Sequence, residues 1–368
     1  MGLSIGIRGA GVAGLSLAHE ILQAVPGAEI SLFDVRERLP HPARTFCFFD
    51  SGVSPLPVEA DHSWSRVAFS GPEFSRSLRC DTAPYTLIRG DRFFGAMLRE
   101  VESRGARCVW GCARVDVQEG GISAGSGTER FDVVVDAAFS PNESRPILWQ
   151  SFAGMWVEAG EDRFNPNEAL LMDLGSSSNE SPVSFVYLLP VSARRALIEH
   201  TTFSGALQPA PWHLAQCARW AEGAGLTGFS VLETEQGGIP MGLPAPSGGS
   251  ARAGSGGGAL RASTGYAFAS IQRQVRAMAL EIARGAGRDL AARPMRVFPR
   301  WMELGDAVFL RTLARAPEQG SVVMGRFLSR APERELVSFL SGEAGLWAAL
   351  KVMACMPKAA MLRTLCWG

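Results

Sequence analysis

Gly6-Ile7-Arg8-Gly9-Ala10-Gly11-Val12-Ala13-Gly14, with Asp34 twenty residues beyond Gly14, is the stretch that decides how this 368-residue chain folds. Leu3 to Ile7 is apolar and β-branched enough for a buried strand. Leu15 to Val25 has helical spacing, and Ile30 to Phe33 reads as a second strand with the acid at its end. In such a strand–turn–helix the first glycine permits the tight turn and the second lets backbone approach a pyrophosphate. The third lets helix and strand pack closely, and the helix N-terminus offers free N–H groups and a positive dipole end. Gly9, Gly11, Val12, Ala13 and Gly14 are therefore predicted to hold a dinucleotide, and Asp34 to accept hydrogen bonds from its ribose.

The rest of the composition fits an α/β protein. Hydrophobic residues make up 46% and there are 41 glycines, while 36 basic residues balance 36 acidic ones. A neutral chain without basic runs argues against nucleic acid as a partner. Seven scattered cysteines have neither zinc-ligand spacing nor the look of a disulfide framework, which fits a reducing cytoplasm. The histidines form no metal cluster, so no metal is expected. The apolar N-terminus lacks a basic leader region, and no run of 18 apolar residues is present to span a bilayer.

Residues 40–84 read as irregular. Phe93, Phe94, Met97, Leu98 and Val101 predict an amphipathic helix to about Ser103. Phe131 to Ala137 reads as a buried strand, and Leu170 to Asp173, Val183 to Leu189 and Ala196 to Thr202 as adjacent antiparallel strands. Trp212 to Glu222 reads as a helix. The Gly/Ser-rich segment 247–258 predicts a flexible loop. A long helix is expected from near Gly265 to about Ala286, with mainly helical chain after residue 300.

Nine short segments in order carry a resemblance across roughly residues 3–360. They are Gly9 to Gly14; Arg44-Thr45-Phe46-Cys47-Phe48; Tyr85 with Ile88 and Phe93; and Gln150-Ser151-Phe152-Ala153-Gly154. They continue with Met172-Asp173-Leu174; Phe185 to Pro190; Leu197-Ile198-Glu199-His200-Thr201; Glu235 to Met241; and Ser263-Thr264-Gly265-Tyr266. Together they resemble the FAD-containing lycopene β-cyclases. The chain departs from the usual pattern in having Arg44-Thr45-Phe46-Cys47-Phe48-Phe49 for His-Thr-Trp-Ser-Phe-His, and Arg261-Ala262 for His-Pro.

The resemblance implies an α/β fold: a Rossmann-like FAD-binding domain of the glutathione-reductase/hydroxylase type, an antiparallel substrate-binding sheet and a helical C-terminal part. The expected division is 1–50, 85–140 and 237–300 for FAD, 51–84 and 141–236 for substrate, and 301–368 for the helices. It also implies a linear carotene substrate and FAD reduced by NADPH or NADH. Thr264-Gly265-Tyr266 is expected to begin the helix that approaches the flavin ring, and Arg44 and Arg92 are candidates for its phosphates or ribose.

Closing a ring on a polyene end requires a proton donor to an unactivated alkene and a base. A carboxylic acid can donate there if an apolar pocket keeps it protonated. Glu199, preceded by Ala196-Leu197-Ile198, is the candidate, with Asp173 and Glu235 as further acids. The plain alternative for Glu199 is an edge-strand side chain paired with Arg194 or Arg195. Asp306, after Gly305, reads as a helix-start residue. The apolar C-terminal segment from Leu346 to Trp367, with Lys351, Lys358 and Arg363, suggests peripheral contact with membrane lipid, hence a cytoplasmic protein associated with the inner membrane. A redox flavoenzyme on the same scaffold, a monooxygenase, halogenase or isoprenoid reductase, is the competing reading.

Overall fold

The computed structural model describes residues 2–38, 44–52, 56–125, 127–139, 146–176, 183–242, 250–285, 287–290 and 295–357. The opening sequence folds as strand β1 (Ser4–Arg8), helix α1 (Val12–Ala24) and strand β2 (Glu29–Phe33). The turn after β1 uses Gly9 at φ +95°, a conformation that a side chain would strain. A Cβ on Gly14 would lie 1.8 Å from the Gly9 carbonyl oxygen, so only glycine lets α1 sit this close to the turn. Strands β8 (Arg107–Val109), β12 (Val133–Asp136) and β18 (Ala251–Arg252) complete a five-stranded parallel sheet in the order β18-β12-β1-β2-β8. Helix α2 (Gly90–Ser103) and helix α4 (Phe268–Ala283) pack with α1 around its core.

A second, seven-stranded sheet runs β17-β13-β16-β15-β14-β5-β6. Its strands are β5 (Arg66–Gly71), β6 (Phe74–Arg79), β13 (Leu148–Ala159), β14 (Ala169–Asp173), β15 (Val183–Pro190), β16 (Arg195–Ser204) and β17 (Phe229–Met241). Every pairing is antiparallel except β14 with β5. Alternation along β16 divides its side chains between two environments. Ala196 and Ile198 pack against helix α3 (Ala210–Gly223) through Cys217 and Ala221, whereas Leu197 and Phe203 join the other core. That second core is closed by helices α5 (Arg300–Arg315), α6 (Gly320–Arg330), α7 (Glu333–Leu340) and α8 (Leu346–Met353).

Two small sheets flank these bodies, the first bridging them and the second packing on the parallel sheet. One is β3 (Thr45–Phe49), β7 (Tyr85–Arg89) and β4 (His62–Trp64); the other is β9 (Val115–Gln118), β10 (Gly121–Ala124) and β11 (Gly127–Arg130). Phe46 and Phe48 stack on Phe268, the first residue of α4, with ring centroids 5.1 and 4.7 Å away.

Several expectations are corrected. Residues 40–84 are not irregular throughout: β3 and β4 pair with β7, β5 pairs with the distant β14, and β5 and β6 form a local hairpin that the sequence reading missed. The Gly-rich segment is not simply a loop, since Ala251–Arg252 pairs with β12; residues 243–249 lie outside the described residues. The long helix begins at Phe268, because Gly265 adopts φ +72° in the turn before it. Asp306 stands in the middle of α5, buried, and not at a helix start.

A polar chain crosses the α3 face of the large sheet. His200 Nε2 lies 2.7 Å from the Ser184 hydroxyl, and the Nδ1 atoms of His200 and His213 are 2.8 Å apart. His213 Nε2 is 3.1 Å from the Ser151 hydroxyl. Burial pushes His200 down to about 3, with His213 adding to it, and pushes His213 down to about 4. Unfolded, both rings would take up protons near the ordinary value of about 6.5. The unfolded chain therefore binds more protons below that pH, and stability falls as pH drops from about 6.5 toward 4. The expected slope approaches about 1.4 kcal/mol per pH unit for each ring. Urea unfolding at pH 7 and pH 5 should show a smaller difference in His213→Asn than in the parent. An unchanged difference would clear the pair of this role.

Candidate active site

One cavity of about 730 Å³ runs from the glycine turn to the large sheet. Gly9, Gly11, Val12 and Ala13 line one end, and Thr264, Gly265, Tyr266, Glu199 and Glu235 the other. Helices α1 and α4 both point N-termini at it, and neither has a side-chain cap. Two sets of unsatisfied N–H groups and two positive dipole ends make this end suited to an anionic ligand. The buried Gln150 Oε1, also on the wall, has no hydrogen-bond partner, and a Cβ on Gly265 would come within 2.3 Å of it. An orphaned acceptor beside a glycine cradle fits a bound dinucleotide-type cofactor.

Asp34 lines this cavity but its acceptor positions are taken. Oδ1 accepts from the Arg36 N–H and Nε, and Oδ2 from the Ala10 N–H at 2.7 Å and Arg36 Nη2 at 2.6 Å. Burial alone would raise its pKa, but the hydrogen bonds from Arg36 and Ala10 outweigh it and hold the carboxyl below its ordinary value. A carboxylate offers about four lone-pair sites, so in this structure Asp34 anchors the turn and Arg36 at the cavity end where the ribose contact is expected. The Arg36 guanidinium is the group left facing the cavity beside Gly11. Arg44 also lines it, whereas Arg92 lies elsewhere, paired with Asp61. Gly14 acts through packing and does not line the cavity.

At the other end the register of the large sheet makes the site. Glu199 on β16 pairs with Gly154 on β13, and Gly154 pairs on its other side with Glu235 on β17. Cross-strand partners share a face, so both carboxylates project from the same face with one strand between them. Strand spacing puts their backbones about 10 Å apart. The position between them carries no side chain, and a Cβ on Gly154 would press on Leu197 at 2.9 Å and Glu199 at 3.1 Å. Tyr187 on β15 pairs with Glu199 from the far side. The result is a row, Tyr187–Glu199–Gly154–Glu235, across four strands.

Glu199 opens onto the cavity between Leu197, Leu189 and Tyr187. Burial first, and repulsion from Glu235 second, push its pKa well up, with the Thr201 hydroxyl opposing. It is not on an edge strand, and its supposed partners are engaged elsewhere: Arg194 with Asp162, Arg195 over the Trp156 ring. Glu235 is raised by burial too, but the Thr45 hydroxyl, donating at 2.6 Å, draws it partly back. Two carboxyls on one face with differently tuned proton affinities can serve as donor and acceptor. Asp173 does not join them. It projects to the α3 side, where Trp220 Nε1 donates to its Oδ2 at 2.8 Å and the Gly175 N–H to its Oδ1.

All three tyrosines of the chain, Tyr85, Tyr187 and Tyr266, line this cavity. The Tyr266 and Tyr85 hydroxyls are 3.5 Å apart, and burial pushes Tyr266 up to about 12, so these groups stay phenols. Sequence reasoning missed Tyr85, Tyr187, Gly154 and Gln150 as site residues. All four lie in the segments that carry the family resemblance, but what brings them to one cavity is long-range strand register.

The family model described as lycopene cyclase protein matches residues 5–366. A lycopene beta-cyclase from Paracoccus sp. is 26% identical over 242 residues, covering 64% of this chain and 61% of that protein, so the match leaves more than a third of the relative's length unspanned. Among solved structures, a geranylgeranyl bacteriochlorophyll reductase-like protein from Thermoplasma acidophilum has a TM-score of 0.62 at 13% identity, covering 98% of each chain. The tetrameric form of 2-methyl-3-hydroxypyridine-5-carboxylic acid oxygenase gives 0.61 at 12% identity, with 92% of this chain and 96% of that one covered. A flavin-dependent brominase variant gives 0.58 at 13%, with 95% and 97% covered. At these identities the structures speak for the fold alone, and it is the whole-length family match that makes this chain a member of the lycopene cyclase protein family.

Proposed function

We propose that the protein closes the linear ψ end of lycopene or a related carotene into a ring by acid–base carbocation chemistry. The observation that carries this reading is the Glu199–Gly154–Glu235 row, two raised carboxyls on one face at the end of a cavity that begins at the glycine turn. Glu199, kept protonated by its surroundings, gives its proton to the terminal alkene. The neighbouring double bond supplies the electrons of the new C–C bond, and the resulting tertiary cation loses a proton to Glu235. Atoms and electrons balance within the substrate plus one proton in and one out. The phenol rings of Tyr187 and Tyr266 and the apolar walls keep water from trapping the cation. When bound and reduced by NADPH or NADH, FAD would supply fixed negative charge favouring the cation, with no net electron transfer. Gly9, Gly11, Val12, Ala13, Arg36, Arg44 and the turn Thr264–Tyr266 would hold it, with the two helix N-termini favouring its anionic parts.

Such a substrate resides in lipid, and peripheral membrane contact belongs to the same proposal. No helix among the described residues is long and apolar enough to cross a bilayer. Helix α8 instead exposes Leu346, Trp347 and Leu350 together, Trp347 by 79%, as an interfacial helix does. Lys351 is paired with Glu335, so it is not free for lipid; Lys358 and Arg363 lie outside the described residues. The test is anaerobic incubation of linear carotene in liposomes with reduced FAD and protein. A cyclic product without stoichiometric NADPH consumption is expected, and Trp347→Ser should lower both liposome binding and rate there but not in detergent. Sustained NADPH oxidation with oxygen uptake matched to product would replace the cyclase reading by a redox one.

A further inference from the structure

A second, separate cavity lies on the same face of the large sheet as Glu199. It sits under α5, α6 and α8 and is free over about 40 Å³. Five of the chain's twelve methionines ring it: Met172, Met302, Met324, Met353 and Met356. Its polar groups satisfy one another: Arg261 donates twice to Asp306, which also accepts from Ser263. What remains is an apolar, deformable space, since methionine is unbranched and has three rotatable bonds.

Its position is informative at both ends. Thr264 lines this cavity and the catalytic one alike, so the two adjoin at the turn before α4. Phe203, on its wall, is four residues from Glu199 on β16 and shares its face, about 13 Å away. On the α5 and α8 side, Gly305 and Met353 both line the cavity, and a Cβ added at Gly305 would lie 3.9 Å from the Met353 Cε. Leu304 on α5 and Trp347 on α8 are both exposed on these two helices.

We propose that this methionine-lined cavity is the subsite for the unreacted polyene chain of the substrate, which enters between α5 and α8 while its end group lies at Glu199. The proposal rests on the cyclase reading and adds the place where the rest of the molecule is held. An apolar hydrocarbon rod has no group needing a hydrogen bond, which matches a wall whose polar atoms are already paired. The methionines swing aside as the chain enters, and Gly305, having no side chain, leaves room on the α5 wall.

The experiment uses the FAD-loaded full chain and the variant Gly305→Leu. Leucine favours helix over glycine, and a Cβ there meets only Met353 at 3.9 Å, so the variant is expected to fold. Its kcat/KM should fall at least tenfold with a full-length linear carotene and stay within twofold of the parent with a short acyclic terpene bearing the same reacting end. Independently, a linear polyene carrying a diazirine at its far end should label peptides from residues 300–315 or 346–357 of the parent protein. Equal kinetics on both substrates, an equal loss on both, or labelling confined elsewhere would each overturn the subsite. If the parent closes neither substrate the cyclase reading fails, while the labelling pattern still decides whether the cavity takes a polyene.

Discussion

Glu199→Gln is expected to slow ring closure by about 10²- to 10⁴-fold, the usual contribution of a positioned general acid, while leaving flavin binding unchanged. The amide keeps the size of the side chain and removes its transferable proton. Burial and the nearby Glu235 raise the Glu199 pKa, so the donor form persists to higher pH than in an ordinary carboxyl and the parent's rate should fall as pH rises through that raised value. The same sign governs stability. A carboxyl whose folded pKa is raised contributes fully below its ordinary unfolded value and loses that contribution as pH climbs from there through the raised folded value, so the parent should lose stability across that window and the variant should not. Glu235→Gln should also lower the rate, because it removes the acceptor, and should ease the repulsion that helps raise Glu199. The measurements are single-turnover cyclisation and flavin titration across pH 6 to 9. Normal cyclisation by Glu199→Gln would remove Glu199 from the acid role.

The fingerprint at the N-terminus was legible because every contact that defines it is short in sequence. Gly9 needs positive φ and Gly14 needs room against the Gly9 carbonyl, and both demands act within six residues. Asp34 shows the limit of that legibility. Its offset marks a ribose ligand, but Arg36, two residues on, occupies it, and whether a neighbouring arginine folds inward is decided by side-chain geometry that no spacing rule carries. Glu199 could be picked out by its apolar flanks. That Glu235 stands on the same face one strand away, with Gly154 leaving space between them, depends on pairing between segments tens of residues apart. Asp173 failed for the same reason: it follows an apolar run as a site acid would, yet alternation turns it to the α3 face.

The pairing also explains how a nucleotide-binding fold comes to present acids. The parallel sheet supplies helix N-termini at one end of the cavity, while the antiparallel sheet supplies side chains in rows at the other. β3 joins the two bodies: Thr45 reaches Glu235, and Phe46 and Phe48 stack on the start of α4. Conditions at the acid row are thus mechanically tied to the helix that opens on the cofactor end.

Asp306→Ala is expected to cost about 3–5 kcal/mol, the range for stranding one partner of a buried ion pair, because it breaks the buried Arg261–Asp306 pair. Arg261 is 2% exposed and its guanidinium donates to both Asp306 oxygens, at 2.6 and 3.0 Å. The same guanidinium donates to the Phe339 carbonyl, so the pair links α5 and the end of α7 to the turn that carries Thr264 and Gly265. That turn is closed by the Gly265 N–H on the Arg261 carbonyl and the Arg261 N–H on the Tyr266 carbonyl. Losing Asp306 leaves a cation in an apolar core and frees the turn, so the unfolding midpoint and the cyclisation rate should fall together. The double variant Arg261→Met with Asp306→Leu removes both charges and fills similar volume, and should recover most of the stability. If it does so without recovering the rate, the pair positions Tyr266 beside Glu199; if Asp306→Ala unfolds like the parent in urea, the pair carries no stability and the core is held by the apolar contacts of α5 to α8 alone.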